Sequence, residues 1–197
     1  MKTNIILAGV GGQGILSIAA VLGVASLKNN YHLKQAETHG MSQRGGAVMS
    51  HLRISDRPIA SDLIPLGKAD IILSVEPMES LRYINYLKPN GYIVTNTTPF
   101  INIPNYPDIA TILDTINKQS HSISIDADKI AKEIGNGKAS NMVMLGAASP
   151  FIEIPVENIE ESIRQIFERK GEDIVTLNLR AFNAGRDFSI MNQNKKN

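Results

Sequence analysis

The sequence lacks cysteine and tryptophan, and neither charge is in clear excess over its 197 residues. Without cysteine the chain forms no disulfide, has no thiol nucleophile and holds neither a zinc knuckle nor an iron–sulfur cluster through its own thiolates. Aromatic residues make up only 5%, which leaves little for stacking nucleic-acid bases. Twenty Lys and Arg against nineteen Asp and Glu give a net charge of +1, too little to attract nucleic acid or an anionic membrane.

Long hydrophobic runs are also missing. The longest strongly apolar stretch, residues 15–27, is shorter than the ~20 residues that a membrane-spanning helix needs. The apolar region after Lys2 imitates a secretory signal, but glycines between residues 9 and 14 divide it into segments of different period. We therefore expect a retained N-terminus and a cytoplasmic protein. The length and the 43% hydrophobic content suit one compact domain.

Several catalytic motifs are absent as well. The sequence contains no G-x-x-x-x-G-K-[ST] phosphate loop, no H-E-x-x-H pair and no G-x-S-x-G nucleophile elbow. Its four histidines stand without the spacing of metal ligands. We predict no catalytic residue and no metal site in this chain, and hence no self-sufficient active site.

Strands and helices are predicted to alternate through the first two-thirds of the chain. Apolar runs and one alternating run predict strands at residues 4–8, 33–38, 47–55, 69–75, 92–96 and 122–125. Apolar residues at helical spacing predict helices at 14–28, 77–87 and 108–117, with a turn at 88–91. The last third is predicted to be helical, with a helix capped by Asp126 or Asp128, a buried helix at 141–148 and two amphipathic helices around 159–167 and 174–184.

This alternation predicts an α/β fold of three layers, α/β/α, around a central and mostly parallel sheet. The N-terminal half is expected to be Rossmann-like. Residues 1–188 are expected to form a single domain, and residues 189–197 a polar tail without order.

A glycine motif lies between the first predicted strand and the first predicted helix. Gly9, Gly11 and Gly14 satisfy G-x-G-x-x-G, in which glycines permit close backbone approach and the helix N-terminus offers N–H groups to an anion. Glu37, about twenty residues further on, is near the position that holds ribose hydroxyls in dinucleotide-binding folds. The alternative is that the glycines only let the helix pack tightly. The predicted binding residues of this loop are Gly9, Gly11, Gly12, Gln13 and Gly14.

A second glycine-punctuated loop covers residues 39–46 and leaves the sheet at the same edge. Arg44 offers a planar fork to a carboxylate or phosphate, and the neighbouring glycines allow the backbone to approach it. Arg44 could equally form an internal salt bridge, and His39 a simple loop hydrogen bond rather than a base. The predicted binding residues here are Gln43, Arg44, Gly45 and Gly46.

Two further polar residues have structural interpretations. Glu76 ends a buried strand and precedes Pro77, so we expect its carboxylate to cap the next helix. Asn141 is expected to be a cap or a buried hydrogen-bonding residue rather than a ligand, and Met142 and Met144 to fill the core.

Four segments together carry a family resemblance: G-V-G-G-Q-G at 9–14, H-G-M-S-Q-R-G-G at 39–46, S-V-E-P at 74–77 and N-M-V-M-L-G-A at 141–147. With them, the chain resembles the gamma-type domain of 2-oxoacid:ferredoxin oxidoreductases from Ile5 to about Ala184. The second segment and the E-P-x-E-x-x-R-Y helix start are closest to the beta subunits of the indolepyruvate branch.

The resemblance implies a complex that converts an aryl pyruvate, coenzyme A and oxidised ferredoxin into arylacetyl-CoA, carbon dioxide and reduced ferredoxin. In such complexes thiamine diphosphate and [4Fe–4S] clusters belong to a larger partner subunit. This chain would hold no cofactor alone, be inactive alone and meet ferredoxin only through the complex. Our hypothesis is that residues 11–14 and 43–46 form one edge of the route taken by coenzyme A.

Three alternatives remain open at this point. The glycine motif and Glu37 also suit an independent NAD-dependent oxidoreductase, although Gly12-Gln13 and the long second loop are unusual for one. A subunit with a role only in assembly or regulation would bind no ligand. Within the family, the complex could instead act on pyruvate, 2-oxoisovalerate or 2-oxoglutarate.

Overall fold

The computed structural model describes residues 1–39, 45–101 and 103–193. Its strands are β1 (Lys2–Val10), β2 (His32–His39), β3 (Ala47–Ser55), β4 (Ala69–Ser74), β5 (Leu87–Asn96) and β6 (Ser122–Ile125). Its α-helices are α1 (Ile15–Lys28), α2 (Pro77–Arg82), α3 (Ile109–Asn117), α4 (Ala127–Ile134), α5 (Ser140–Ala148), α6 (Val156–Phe167) and α7 (Glu172–Gln193). Within these residues, no helix has both the length and the apolar character needed to cross a membrane.

The six strands form one sheet in the order β2-β3-β1-β4-β5-β6. Strands β1, β4, β5 and β6 pair in parallel, whereas β3 pairs antiparallel with both β1 and β2. Helices cover both sides, so the prediction of three layers around a mostly parallel sheet is confirmed. One feature differs from dinucleotide-binding folds, in which the second strand lies directly beside the first. Here β3 stands between β1 and β2.

One face of the sheet, which we call the helical face, carries the main hydrophobic core. Alternate residues of the strands, such as Ile5 and Leu7, point to this face because side chains alternate along a strand. Helices α1, α4, α5, α6 and α7 cover it, and Phe182 is the largest of the fully buried side chains.

Helices α5 and α7 cross with their backbones almost in contact. A Cβ placed on Gly146 would lie 1.8 Å from the carbonyl oxygen of Phe182, and one on Gly185 would lie 1.9 Å from that of Val143. Neither position has room for any side chain larger than hydrogen. The two glycines therefore set how closely the last long helix packs on the core.

The opposite face, which we call the second face, is covered more lightly. Helices α2 and α3 and the connection between β3 and β4 (residues 56–68) lie over it, with two small hydrophobic clusters beneath. Polar contacts hold the connection: the Ile64 amide donates to His51 Nδ1 at 3.2 Å, and Arg53 Nη1 donates to the Ser61 and Leu63 carbonyls at 2.7 and 3.0 Å. Burial, and secondarily the charge of Arg53, lower the pKa of His51.

Helix ends follow the predicted caps. Asp108 accepts from the Thr111 amide at 2.9 Å, and Asp126 accepts from the Lys129 amide at 2.9 Å. Of the two candidates for the cap of α4, Asp126 is therefore the one that serves. Gly135 ends this helix with a φ of 98°, which a residue with a side chain rarely adopts.

Three predicted boundaries are wrong. The helix predicted at residues 77–87 is shorter than expected, because α2 ends at Arg82 and Leu87 already belongs to β5. Residues 88–91 are not a turn after a helix but part of β5, which begins at Leu87. The register of the pair shifts there, since Ala69 faces Leu87 while Ile71 faces Tyr92, and this irregularity accommodates Pro89. At the other end, α7 continues to Gln193, so residues 189–193 are helical rather than a tail, and Ser189 is buried. Residues 194–197 lie outside the described residues.

Candidate functional site at the carboxyl edge of the sheet

The glycine loop joins β1 to α1 at the carboxyl edge, where the parallel strands end. A Cβ on Gly9 would lie 2.4 Å from Val75 Cγ2, and one on Gly14, whose φ is 81°, would lie 2.5 Å from Asn141 Nδ2. The Asn141 amide in turn donates to the Gly14 carbonyl at 3.2 Å. Close packing therefore explains Gly9 and Gly14, as the simpler interpretation of the motif expects, and Asn141 has the predicted hydrogen-bonding role.

Gly12 differs from Gly9 and Gly14 because it has open space around it. Its φ is 101°, and a Cβ placed on it would meet no atom within 4 Å. No packing contact among the described residues explains this glycine, which leaves its backbone open to approach from outside.

The two glycine loops are joined directly. The amide of Gly11 donates to the carbonyl of Gly46 at 2.9 Å, so the predicted meeting of the loops at one edge is confirmed for their described residues. This hydrogen bond occupies the Gly11 amide, so the amides in the first turn of α1 are better placed to donate to an anion. Amides at the start of a helix have no carbonyl one turn earlier to pair with.

The side chain of Gln13 braces its own loop. Its Oε1 accepts from the Val10 amide at 2.7 Å, and its Nε2 lies 3.5 Å from the Val75 carbonyl at the end of β4. We therefore assign Gln13 a positioning role within the predicted binding loop.

A cavity of about 280 Å³ opens beside the glycine loop. Its wall combines the loop backbone, the first turn of α1, apolar side chains and the carboxyl side chain of Glu37. The structure thus brings Glu37 to the glycine loop, as the sequence predicts. The lining residues are Val10, Gly11, Gly12, Gly14, Ile15, Leu16, Glu37 and Val48.

The position of Glu37 differs from that of the ribose-binding acid in a dinucleotide fold. Because β3 intervenes, β2 lies two strand spacings from β1, roughly 10 Å, rather than one. A ribose placed as in those folds would meet β3 first. This strand order argues against the NAD-dependent alternative.

Part of the second loop lies outside the described residues. Gln43 and Arg44 are among these, together with residues 40–42 and the side chain of His39, so their predicted roles stay predictions. Gly45 is described, with a φ of 80°, and Gly46 supplies the carbonyl that binds the first loop.

Glu76 caps α2 as predicted and does more. Its fully buried carboxylate accepts from the Glu79 amide at 2.8 Å through Oε2. Through Oε1 it accepts from the Phe100 amide at 3.3 Å and from the hydroxyl of Tyr106. Burial, together with the Glu76 carboxylate, raises the pKa of Tyr106 above its ordinary value. No sequence signal pairs Glu76 with a tyrosine thirty positions later.

Asn96 joins the ends of three strands, a role that the sequence reasoning missed. Its Nδ2 donates to Asp128 at 2.7 Å and lies 3.4 Å from the Val75 carbonyl, while its Oδ1 accepts from the Ala127 amide at 3.1 Å. An Asn at the end of a buried strand, followed by two threonines, is the only local hint of this role.

The edge offers little for cofactor chemistry of its own. Across the part of the chain that the structure describes, no group of three or more His, Asp or Glu side chains could hold a metal ion. Glu76 and Asp128 are engaged in the contacts above, and the sequence has no cysteine for an iron–sulfur cluster. What the edge does offer is backbone: an open glycine, a helix start and an adjoining cavity.

Comparison with known proteins decides the family. Residues 4–188 match the family described as pyruvate ferredoxin/flavodoxin oxidoreductase. The chain belongs to this family.

Two curated relatives match nearly the whole of this chain but differ in their own length. An indolepyruvate oxidoreductase subunit IorB from Pyrococcus horikoshii is 40% identical over 192 residues, covering 92% of this chain and 93% of the relative. A ketoisovalerate oxidoreductase subunit VorA from Methanothermobacter marburgensis is 26% identical over 97% of this chain, but only 37% of VorA is matched.

A solved structure shares the fold. The 2-oxoglutarate:ferredoxin oxidoreductase of Magnetococcus marinus, solved with 2-oxoglutarate, coenzyme A and succinyl-CoA bound, aligns with a TM-score of 0.78 at 24% identity. The match covers 96% of this chain and 31% of that chain. The resemblance inferred from four short segments is thereby confirmed at the level of the family and the fold.

Proposed function

We propose that this chain is the cofactor-free subunit of an aryl pyruvate:ferredoxin oxidoreductase whose larger partner holds thiamine diphosphate and the [4Fe–4S] clusters. The observation that carries the proposal is the 40% identity to an indolepyruvate oxidoreductase subunit over nearly the full length of both chains. The absence of cysteine supports the division of labour, because electrons from the oxoacid need a redox centre that this chain does not supply.

The overall reaction consumes an aryl pyruvate, coenzyme A and two oxidised ferredoxins. The bond between the oxoacid carbonyl and its carboxylate breaks and releases carbon dioxide, and a thioester bond to coenzyme A forms. Two electrons pass to ferredoxin, and the thiol proton is released. Thiamine diphosphate in the partner supplies the carbanion chemistry.

The contribution of this chain is the route of coenzyme A. Gly12 allows a ligand to approach its backbone, and the first turn of α1 presents N–H groups with the positive end of the helix dipole. Val10, Leu16 and Val48 add an apolar wall to the cavity. This combination suits a ligand that joins phosphates to a long uncharged arm, as coenzyme A does.

The experiment compares Gly12→Ala with Gly171→Ala in the complex assembled with the large subunit. Both glycines have a positive φ, 101° and 98°, and both face open space, so an alanine at either position strains the backbone without a steric clash. We expect the KM for coenzyme A to rise at least fivefold for Gly12→Ala alone, with the KM for the oxoacid unchanged. Equal KM values for the two variants would contradict a coenzyme A route at this loop.

A second variant tests the second glycine loop, residues 39–46. Arg44→Ala should raise the KM for coenzyme A while the complex still assembles. If the KM stayed at the wild-type value and assembly alone failed, residues 43–46 would serve the subunit interface instead.

The choice of oxoacid is tested by direct competition. We expect the assembled complex to prefer indolepyruvate over pyruvate, 2-oxoisovalerate and 2-oxoglutarate in kcat/KM. A preference for any of the three would move the complex to another branch of the family.

A further inference from the structure

A group of exposed apolar side chains lies at the carboxyl edge, on the connection between β5 and α3. We call it the apolar lip and define it as Phe100, Ile101 and Ile103, which are 41%, 71% and 41% exposed. The sequence has no charged residue from 97 to 107. Large apolar side chains without neighbouring charges are typical of the core of a protein–protein interface rather than of a free surface.

The lip is anchored rather than loosely attached. The Phe100 amide donates to buried Glu76, and so does the Tyr106 hydroxyl a few residues later. Tyr106 also packs against the hydrophobic cluster beneath α3. Burying a carboxylate is unfavourable unless hydrogen bonds satisfy it. Two of the donors to the Glu76 carboxylate come from the segment that carries the lip, so these hydrogen bonds hold the segment in place. A preorganised loop loses less entropy when a partner binds.

The lip is also continuous with the glycine loop. Gln13 of that loop reaches the carbonyl of Val75, the residue before Glu76, and Gly9 packs against the Val75 side chain. Two adjacent residues, Val75 and Glu76, thus connect the proposed coenzyme A site to the anchor of the lip.

We propose that the apolar lip is a docking surface for the cofactor-bearing large subunit. This inference rests on the proposed function, because coenzyme A held at the glycine loop has to reach a reacting carbon on the partner. The partner must therefore approach this edge, and the lip is an exposed apolar surface on it. The VorA relative, of which this chain matches 37%, shows the same domain joined to further polypeptide.

The experiment measures the affinity between the purified large subunit, loaded with its cofactors, and variants of this chain. Ile101→Glu places a charge in the lip. Leu27→Glu is the matched control, since Leu27 is 67% exposed in the last turn of α1, roughly 20 Å along the helix from the carboxyl edge. We expect Ile101→Glu to raise the Kd at least tenfold and Leu27→Glu to change it less than twofold.

A second variant guards against a local folding defect. Ile103→Ser removes apolar area at the other end of the lip without adding charge, and we expect a Kd raised about threefold with an unchanged Tm. Binding of coenzyme A to the isolated chain, measured by calorimetry, should match the wild type in every variant.

Three results would overturn the proposal. In the first, Ile101→Glu binds the large subunit as tightly as Leu27→Glu does. This result would exclude the lip as the docking surface but would not contradict the proposed function. In the second, Ile101→Glu abolishes only self-association of the isolated chain in sedimentation, which assigns the lip to a second copy. In the third, the wild-type chain forms no complex with the large subunit, and the proposed function falls with the lip.

Discussion

The two faces of the sheet are covered by different physical means. On the helical face, five helices bury a continuous apolar core, and α5 and α7 approach until only glycine fits between them. On the second face, irregular segments are held at a few polar anchors, His51, Arg53 and Glu76. One face therefore supplies stability through apolar area and close packing, whereas the other uses hydrogen bonds to hold segments that keep apolar side chains in solvent.

Gly185→Ala should disrupt the packing of the helical face and have the largest effect on stability. The new Cβ would lie 1.9 Å from the Val143 carbonyl oxygen, which forces α5 and α7 apart. We expect a loss of about 3–5 kcal/mol in the free energy of unfolding, measured by urea denaturation. The control is Gly23→Ala in α1, where the Cβ would meet Leu33 at an ordinary 3.4 Å. That variant should gain about 0.5–1 kcal/mol from helix propensity. A Gly185→Ala variant as stable as Gly23→Ala would show that the crossing tolerates separation.

Tyr106→Phe should remove one hydrogen bond to Glu76 on the second face and have a smaller effect on stability. The buried Glu76 carboxylate loses one of its donors, so we expect a cost of about 1–3 kcal/mol. Amide hydrogen exchange should become faster at residues 98–101 and stay unchanged in α5 and α7. The control is Tyr31→Phe, at a partly buried tyrosine packed against the helical-face core, whose hydroxyl has no partner among the described residues. Equal protection at Phe100 in both variants would show that the loop does not depend on this hydrogen bond.

His51 should give the second face a pH dependence, the smallest of the three effects. Because burial and Arg53 lower its pKa, the unfolded chain takes up a proton below about pH 6.5 that the folded chain resists. Its contribution to stability is therefore present above that pH and falls as the pH drops toward the lowered pKa. Protonation would also block the acceptor that Nδ1 offers to the Ile64 amide.

The measurement compares the free energy of unfolding of wild type and His51→Gln at about pH 7.5 and pH 5.5. We expect the wild type to lose more stability on acidification than His51→Gln does. His121→Gln keeps His51 in place and should therefore behave as the wild type. Identical pH profiles for wild type and His51→Gln would exclude His51 as a source of the dependence.

Local features made much of this fold predictable. Continuous apolar runs and helical spacing located the strands and helices, and the caps at Asp108, Asp126 and Glu76 needed only residues three positions apart. The turn predicted at residues 88–91 failed because P-N-G suits a turn when taken alone. In the fold, an ion pair of 2.5 Å between Lys88 and Asp70 and the pairing with β4 keep that segment in the sheet.

The remaining features depend on residues that are distant in sequence. Nothing near Gly185 announces that Val143 will lie against it, and nothing near Glu76 announces Tyr106. For the candidate site, the sequence predicted the meeting of two loops and the nearness of Glu37. It could not separate Gly9 and Gly14, which serve packing, from Gly12, which faces open space, because that distinction depends on Val75 and Asn141.

The antiparallel strand has a consequence for how this edge can change. His39, the last residue of β2, pairs with Val48 at the start of β3, so the polypeptide leaves the sheet after β2 and returns to it at a neighbouring position. Insertions or deletions between residues 40 and 44 would therefore alter the reach of that excursion without separating its two ends. The hydrogen bond between the Gly11 amide and the Gly46 carbonyl lies outside this stretch and would still join the two loops.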